Sequence, residues 1–329
     1  MRRMSSVLLT GGAGFLGYHF SKKLLENNFS VVIVDNLDDF YDINYKLQRL
    51  SFIGIDSAAE LSYGNELVSK IYPDAKFIRG DICDKNLIDR IFRENRIQYV
   101  MHMAARSGAR GSFSNPHEYV KDNVDGTTNL LDVSSKNQVK HFVFTSSSSV
   151  YGNSGLDDEK IELKPISIYG ATKLAAEIIS ESYARCKKMP VTIGRLFSVY
   201  GPWGRPDGFI HKCVQNLKNN ISIELFNNGN MWRDFIYVDD VVELLFRMML
   251  SKPSDNFKVY DVGTGVATKI TDVVETLERL LGAKARLKTV STDASEIVSV
   301  KAHRKLMFNN VDIQSATNLE GNLRKFVNI

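Results

Sequence analysis

Ser6-Val7-Leu8-Leu9-Thr10-Gly11-Gly12-Ala13-Gly14-Phe15-Leu16-Gly17 is the stretch whose reading decides the fold. Ser6 to Leu9 reads as a short buried strand, and glycines at 11, 14 and 17 follow it. That spacing permits a tight turn, a close backbone approach to a pyrophosphate, and close packing of helix on sheet. A helix is predicted from Phe15 to Asn28, with Leu16, Phe20, Leu24 and Leu25 on one face. The next strand, Ser30 to Val34, ends in Asp35, 18 positions after Gly17, near the spacing of a ribose-binding acid. Strand, glycines, helix, strand and acid in this order form a βαβ unit whose helix N-terminus faces phosphates. A carboxylate at 35 binds ribose hydroxyls and repels a 2′-phosphate, which favours NAD over NADP.

Beyond Asp35 the alternation continues after one excursion. Asp39 to Pro73 is predicted to carry helices over Asn44–Phe52 and Ala58–Ile71 and to build a rim at the strands' carboxyl end. Strands are predicted over Ala75–Ile78, Gln98–Met103, Val139–Thr145 and Val191–Arg195. Helices are predicted between them over Lys85–Asn95, Pro116–Lys136 and Tyr169–Lys187. This order implies an α/β fold, a Rossmann-type doubly wound parallel sheet with helices on both faces. Residues 1–177 are read as the dinucleotide-binding domain. Residues 178–329, with helices over Val238–Leu250, Ile270–Leu281 and Ala316–Val327, are read as a smaller C-terminal α/β substrate lobe, some segments of which return to the first domain.

Composition narrows the function classes. The 329 residues are 43% hydrophobic and 24% charged, an ordinary globular balance. The net charge of +4 is small for this length and argues for neither a nucleic-acid nor a membrane partner. Cys83, Cys186 and Cys213 are widely spaced and suggest no disulfide framework and no metal site, which fits a reducing cytoplasm. The apolar run behind Met1-Arg2-Arg3 is too short for a signal peptide, and no segment approaches 18 consecutive apolar residues.

Two further stretches carry chemistry. Tyr169 and Lys173 stand four apart in Ser167-Ile168-Tyr169-Gly170-Ala171-Thr172-Lys173, on one helical face. A phenol is a poor base at neutral pH, but an ammonium held close favours the phenolate. Thr145-Ser146-Ser147-Ser148-Ser149-Val150-Tyr151-Gly152 ends the fifth parallel strand, where ligands of open α/β sheets gather. His102 reads as structural.

The glycine loop, Asp35, the serine cluster and the Tyr169/Lys173 pair together resemble the extended short-chain dehydrogenase/reductase family and its nucleotide-sugar epimerases and dehydratases. The resemblance covers nearly the whole chain, weakening after about residue 284. It implies NAD as cofactor, held by Gly11, Gly14, Phe15, Leu16, Gly17, Asp35 and Asn36. Asp81 and Ile82 are implied beside the adenine, Ala104 and Ala105 along the dinucleotide, and Asn123 in the helix beneath it. Ser147, Tyr169 and Lys173 are implied as the catalytic group. In this scheme Tyr169 takes the sugar C4 hydroxyl proton, Ser147 bridges Tyr169 to the sugar, and Lys173 holds the nicotinamide ribose.

Within that family, further stretches are similar to UDP-glucuronate 4-epimerases: Asp35-Asn36-Leu37-Asp38-Asp39-Phe40-Tyr41-Asp42, Asn115-Pro116-His117-Glu118-Tyr119-Val120, Gly201-Pro202-Trp203-Gly204-Arg205-Pro206-Asp207 and Trp232-Arg233-Asp234-Phe235. Ser148-Ser149 stand where dehydratases and decarboxylases of the family carry acids, and two hydroxyls serve elimination poorly. Ser148, Ser149 and Ser198 are implied to hold the sugar carboxylate. Arg233 is implied to meet the pyrophosphate, Arg205 to close over the substrate, and Arg110, near the dinucleotide loop, to bind substrate as well. The expected activity is NAD-dependent C4 epimerisation of a UDP-hexuronate. Epimerisation of a neutral UDP-hexose or another nucleotide sugar, and an inactive NAD-binding regulator, are the alternatives. The chain departs from the pattern at Asp207-Gly208-Phe209, where Asp-Met is usual, and over Lys284 to Ser299, which lacks a Pro-Gly-Asp segment. A homodimer through the Pro116–Lys136 and Tyr169–Lys187 helices is also implied.

Overall fold

The computed structural model describes residues 5–56, 61–153, 161–251, 253–291, 294–308 and 318–328. The opening unit forms as its glycine spacing predicts: β1 (Ser6–Thr10), α1 (Phe15–Glu26), β2 (Ser30–Asp35). β1 and β2 run parallel, in register from Ser6 opposite Ser30 to Thr10 opposite Val34. The helix ends one turn before Phe29 because Asn28 takes a left-handed backbone, φ 60°, a conformation asparagine tolerates.

Alternation continues through α2 (Asn44–Phe52), β3 (Glu66–Val68), β4 (Ala75–Arg79), α3 (Lys85–Asn95) and β5 (Tyr99–His102). Next come α4 (Gly111–Ser114), α5 (Pro116–Val120), α6 (Gly126–Lys136), β6 (His141–Ser147), α7 (Ile168–Lys187) and β7 (Val191–Leu196). The second half contains β8 (Ser198–Tyr200), α8 (Phe209–Lys218), β9 (Ile223–Phe226), β10 (Trp232–Arg233), β11 (Phe235–Tyr237) and α9 (Val238–Leu250). It closes with β12 (Phe257–Val262), β13 (Thr268–Lys269), α10 (Ile270–Leu281), β14 (Leu287–Val290), β15 (Ser299–Val300) and α11 (Leu319–Val327).

Eight strands form the main sheet in the order β12-β7-β6-β5-β1-β2-β4-β3. All neighbours pair in parallel except β3, which runs antiparallel to β4. Both faces are covered, which is why the strands read as unbroken apolar runs. Val7, Leu9, Val31 and Ile33 face α1 and α9, whereas Leu8, Val32 and Val34 face α3 and α6. Two strands from the second half, β7 and β12, complete one edge of this sheet, and α9 returns to pack beside α1. The remaining short strands form three small sheets over the carboxyl end. Among the described residues no helix is long and apolar enough to cross a membrane.

Two sequence expectations need correction. Residues 57–60 lie outside the described residues, but 61–71 are not helical: β3 occupies Glu66–Val68, after a turn in which Gly64 has φ 78°. Leu61, Val68 and Ile71 mimic helical spacing, yet only Leu61 is buried, and the backbone pairs with β4 instead. The predicted helix Pro116–Lys136 is interrupted by a π-helical turn, Lys121–Asp125, which inserts an extra residue between α5 and α6. The predicted C-terminal helix is seen from Leu319, and 316–317 fall outside the described residues. The helix α8 was not anticipated.

Candidate active site

At the carboxyl ends of β1, β2 and β4 lies a cleft of about 340 Å³. Its floor is the loop after β1. Gly11 has φ 71°, and a Cβ there would stand 2.7 Å from the Ala104 nitrogen; a Cβ on Gly17 would stand 2.2 Å from the Gly11 carbonyl. Only glycine brings the loop, the start of α1 and the β5 loop this close together. The resulting hollow at the N-terminus of α1 is the shape and polarity an anionic dinucleotide requires, so these residues fit NAD.

Gly11, Gly14, Phe15, Leu16 and Gly17 line this cleft, as do Asp35 and Asn36, Asp81 and Ile82, and Ala104 and Ala105. The Asp35 carboxylate accepts the Ala13 N–H at 3.1 Å and the Leu37 N–H at 2.9 Å, which fixes it at the mouth of the loop. Asn123 is not in the cleft wall. It is buried in the π-helical turn, where its amide bonds both backbone groups of Arg106 and the Thr172 hydroxyl, tying the β5 loop to α7. His102 is buried between the Thr10 and Thr127 hydroxyls, 2.8 and 2.9 Å away.

The far end of the cleft holds Ser147, Tyr169 and Lys173. Ser147 ends β6, and its Oγ accepts the Ser149 N–H at 3.1 Å, capping the short turn Ser148–Tyr151. The first turn of α7 is capped by Ser167, which accepts the Gly170 N–H, and it lies tight against the serine turn. A Cβ on Gly170 would sit 2.5 Å from the Ser149 carbonyl. That contact sets Tyr169 beside Ser147.

Burial pushes the Tyr169 phenol above its ordinary value, while the hydrogen bond with Ser147 and the Arg205 guanidinium pull it back. Lys173 is buried with its Nζ 4.2 Å from the Phe144 ring centroid. Desolvation lowers it to about 7, opposed by the Glu177 carboxylate. Without a ligand, then, burial favours the neutral form of both groups.

Lys173 makes the stability of the cofactor-free protein depend on pH. Below about 7 the lysine is protonated in both the folded and unfolded chain. Above it the folded chain releases a proton that the unfolded chain keeps until its pKa near 10.5, so stability rises with pH across that interval. Urea unfolding at pH 6 to 9 is expected to show a rising midpoint that Lys173→Met lacks.

One turn beyond Lys173, Glu177 is buried against Arg195 on β7, with Nη2 to Oε2 2.7 Å. Arg195 also donates to the Tyr151 hydroxyl at 2.8 Å, Tyr151 donates to Asp261 at 2.5 Å, and Asp261 accepts the His303 backbone N–H at 2.8 Å. Ser146 donates to Glu177 from β6. The network ties α7 to three strands directly beneath the Tyr169/Lys173 pair.

A second cavity, about 750 Å³, adjoins the cleft. Phe15 and Arg205 line both. Ser198, Arg110 and Arg233 also line the second cavity, whereas Ser148 and Ser149 stand beside Ser147 and line neither. Arg205 donates to Asp207 at 2.9 Å and also bonds Ser107. Glu296, from the stretch where the family resemblance weakens, lies 2.5 Å from Arg110 and 3.9 Å from Arg233.

Glu296 and Lys46 are among the site residues that sequence reasoning missed. Lys46 lines the cleft with its Nζ 3.6 Å from Asp35 and also pairs with Asp38. Its only signal in the sequence is its place on the same helical face as the buried Leu50.

A largely parallel sheet with a glycine loop, an acid after the second strand and a Ser/Tyr/Lys group over the end of β6 defines a class of dinucleotide-dependent enzymes. The chain belongs to the NAD-dependent epimerase/dehydratase family, whose profile matches residues 7–263. It is 34% identical to a UDP-glucuronate 4-epimerase of Thermodesulfobacterium geofontis over 89% of this chain and 86% of that protein. It is 31% identical to the protein CapI of Staphylococcus aureus, over 98% and 97%. A UDP-glucuronic acid 4-epimerase of Bacillus cereus, solved with UDP-glucuronic acid and NAD, superposes with a TM-score of 0.83 at 27% identity, covering 98% of each chain.

Proposed function

We propose that this enzyme inverts C4 of a UDP-hexuronate, converting UDP-glucuronate to UDP-galacturonate through a transient 4-keto sugar. The observation that carries the reading is the meeting of Ser147, Tyr169 and Lys173 at the end of a glycine-floored cleft, next to an arginine-lined cavity that shares Arg205 with it. Two of the relatives named above, those of Thermodesulfobacterium geofontis and Bacillus cereus, are UDP-glucuronate 4-epimerases, and the second was solved with UDP-glucuronic acid and NAD. In this reading residues 1–177 supply the dinucleotide site and residues 178–329 much of the nucleotide-sugar site, with β7 and β12 lent back to the first sheet.

NAD, when bound, supplies a reversible hydride acceptor for C4. Asp35, with Lys46 beside it, would hold the adenosine ribose, and the glycine loop the pyrophosphate. Asp81 and Ile82 would flank the adenine, and Ala104 and Ala105 the middle of the dinucleotide. Tyr169 accepts the C4 hydroxyl proton and later returns it, with Ser147 relaying between phenol and sugar oxygen. Lys173, buried beneath, holds the nicotinamide ribose and favours the phenolate. Arg233 and Arg110, bridged by Glu296, receive the substrate pyrophosphate, and Arg205 closes over it.

The oxidised sugar is a β-keto acid and loses carbon dioxide if its carboxylate turns into line with the ketone. Hydroxyls of Ser148, Ser149 and Ser198 would hold that group by several hydrogen bonds without one fixed cation. A cytoplasmic homodimer completes the reading. Val120 and Ile178 are exposed on α5 and α7, whereas Leu130 and Leu131 of α6 are buried on the sheet.

Incubating the purified protein with NAD and either UDP-glucuronate or UDP-glucose, then resolving the 4-epimers, tests the reading. UDP-galacturonate is the expected product, with little turnover of UDP-glucose. No product from the acid would sink it, and product from the neutral sugar alone would transfer the activity to a UDP-hexose.

A further inference from the structure

Arg49 of α2 is fully buried, yet among the described residues no carboxylate lies within ion-pair distance of it. Its five donors are spent on neutral acceptors instead. Nη1 donates to the Ala13 carbonyl at 3.2 Å and the Tyr41 hydroxyl at 2.6 Å. Nε and Nη2 both donate to the Trp203 carbonyl, at 3.1 and 2.8 Å, and Nη2 reaches the Gly204 carbonyl at 3.4 Å. One guanidinium thus joins two loops 190 residues apart, the glycine loop after β1 and the segment that leads into Arg205. Trp203 itself takes a left-handed backbone, φ 57°, and the neighbouring Pro202 carbonyl accepts a hydrogen bond from His19 of α1 at 2.8 Å. The loop that presents Arg205 to both cavities is therefore pinned, in a conformation unusual for tryptophan, by side chains of the cofactor-binding half.

A buried guanidinium normally requires a counter-charge. Arg49 already holds the Ala13 carbonyl of the glycine loop, which frames the anion-binding hollow and so offers a place for one. We infer that Arg49 is a positioning residue that couples the two sites: an anionic dinucleotide on the glycine loop offsets the Arg49 charge and firms its grip on 203–204, and so places Arg205 over the second cavity. Linkage makes the effect reciprocal, so a ligand that engages Arg205 tightens dinucleotide binding. The inference rests on the NAD and UDP-sugar assignments of the preceding section.

Titrating NAD into the protein with and without saturating UDP measures the coupling directly. The wild-type protein is expected to bind NAD at least about fivefold more tightly when UDP is present, within the range usual for coupled sites. Arg49→Lys keeps the charge but loses the planar fork that reaches both loops, and is expected to bind NAD with the UDP effect reduced to less than about twofold. NAD binding by this variant also shows that it is folded. An Arg49→Lys coupling equal to that of wild type, or a wild-type protein whose NAD affinity ignores UDP, overturns the inference alone. A wild-type protein that binds no NAD overturns the functional reading and the inference with it.

Discussion

Replacing Tyr169 with phenylalanine is expected to lower epimer formation by about 10²–10⁴-fold, the range carried by a positioned proton-transfer group. The substitution removes one oxygen and leaves the rest of the device in place. Ser167 still caps α7, Gly170 still seats its first turn on the Ser149 carbonyl, and the ring keeps its edge contact with Tyr119 at 6.3 Å. Lys173 stays buried over Phe144. Binding of NAD and UDP should change little, because neither depends on a phenolic proton. The loss should therefore fall on kcat rather than KM. Epimer formation that survives in Tyr169→Phe would remove the tyrosine from the mechanism, and lost NAD affinity would reassign it to binding.

Arg195→Met carries the largest expected effect on stability, about 3–5 kcal/mol, because it strands a buried carboxylate. Glu177 receives three hydrogen bonds from Arg195, at 3.0, 3.2 and 2.7 Å, and both side chains are almost wholly buried. Methionine fills much of the volume and supplies none of those donors. Tyr151 loses the same partner, while Asp261 keeps the His303 backbone N–H. Pairing the change with Glu177→Gln removes the stranded charge, so the double variant should unfold at a higher urea concentration than Arg195→Met alone. A single variant within about 1 kcal/mol of wild type would show that water reaches Glu177 and that the network is not what anchors α7.

The parts of the site that were legible in the sequence share one property: local geometry dictates them. Gly11 and Gly17 are required because any Cβ there would overlap backbone, and Asp35 follows because β2 must end beside that loop. Tyr169 and Lys173 share a face because a helix repeats every 3.6 residues. What stayed hidden depends on contacts between distant segments. Lys46 reads as one more surface lysine until α2 folds over Asp35. Glu296 has no neighbouring motif, and only the fold carries it to Arg110 and Arg233. The π-helical turn escaped for a related reason: its extra residue is stabilised by the bonds of Asn123 to Arg106 and Thr172, none of which is near in sequence. β3 escaped because three residues are too few to show a period, and Gly64 was the only local sign that the chain turns.

That short strand has a consequence of its own. A parallel sheet left bare at β4 would present a regular row of unpaired amides to any extended chain, and so a template for growth by strand addition. β3 covers that row and leaves in its place an edge only three residues long. Its Glu66 is exposed and pairs with Lys76 on β4, placing charges at the rim. The excursion that shapes one wall of the cofactor cleft therefore also leaves this side of the sheet with a short, charged edge, the kind that disfavours strand addition.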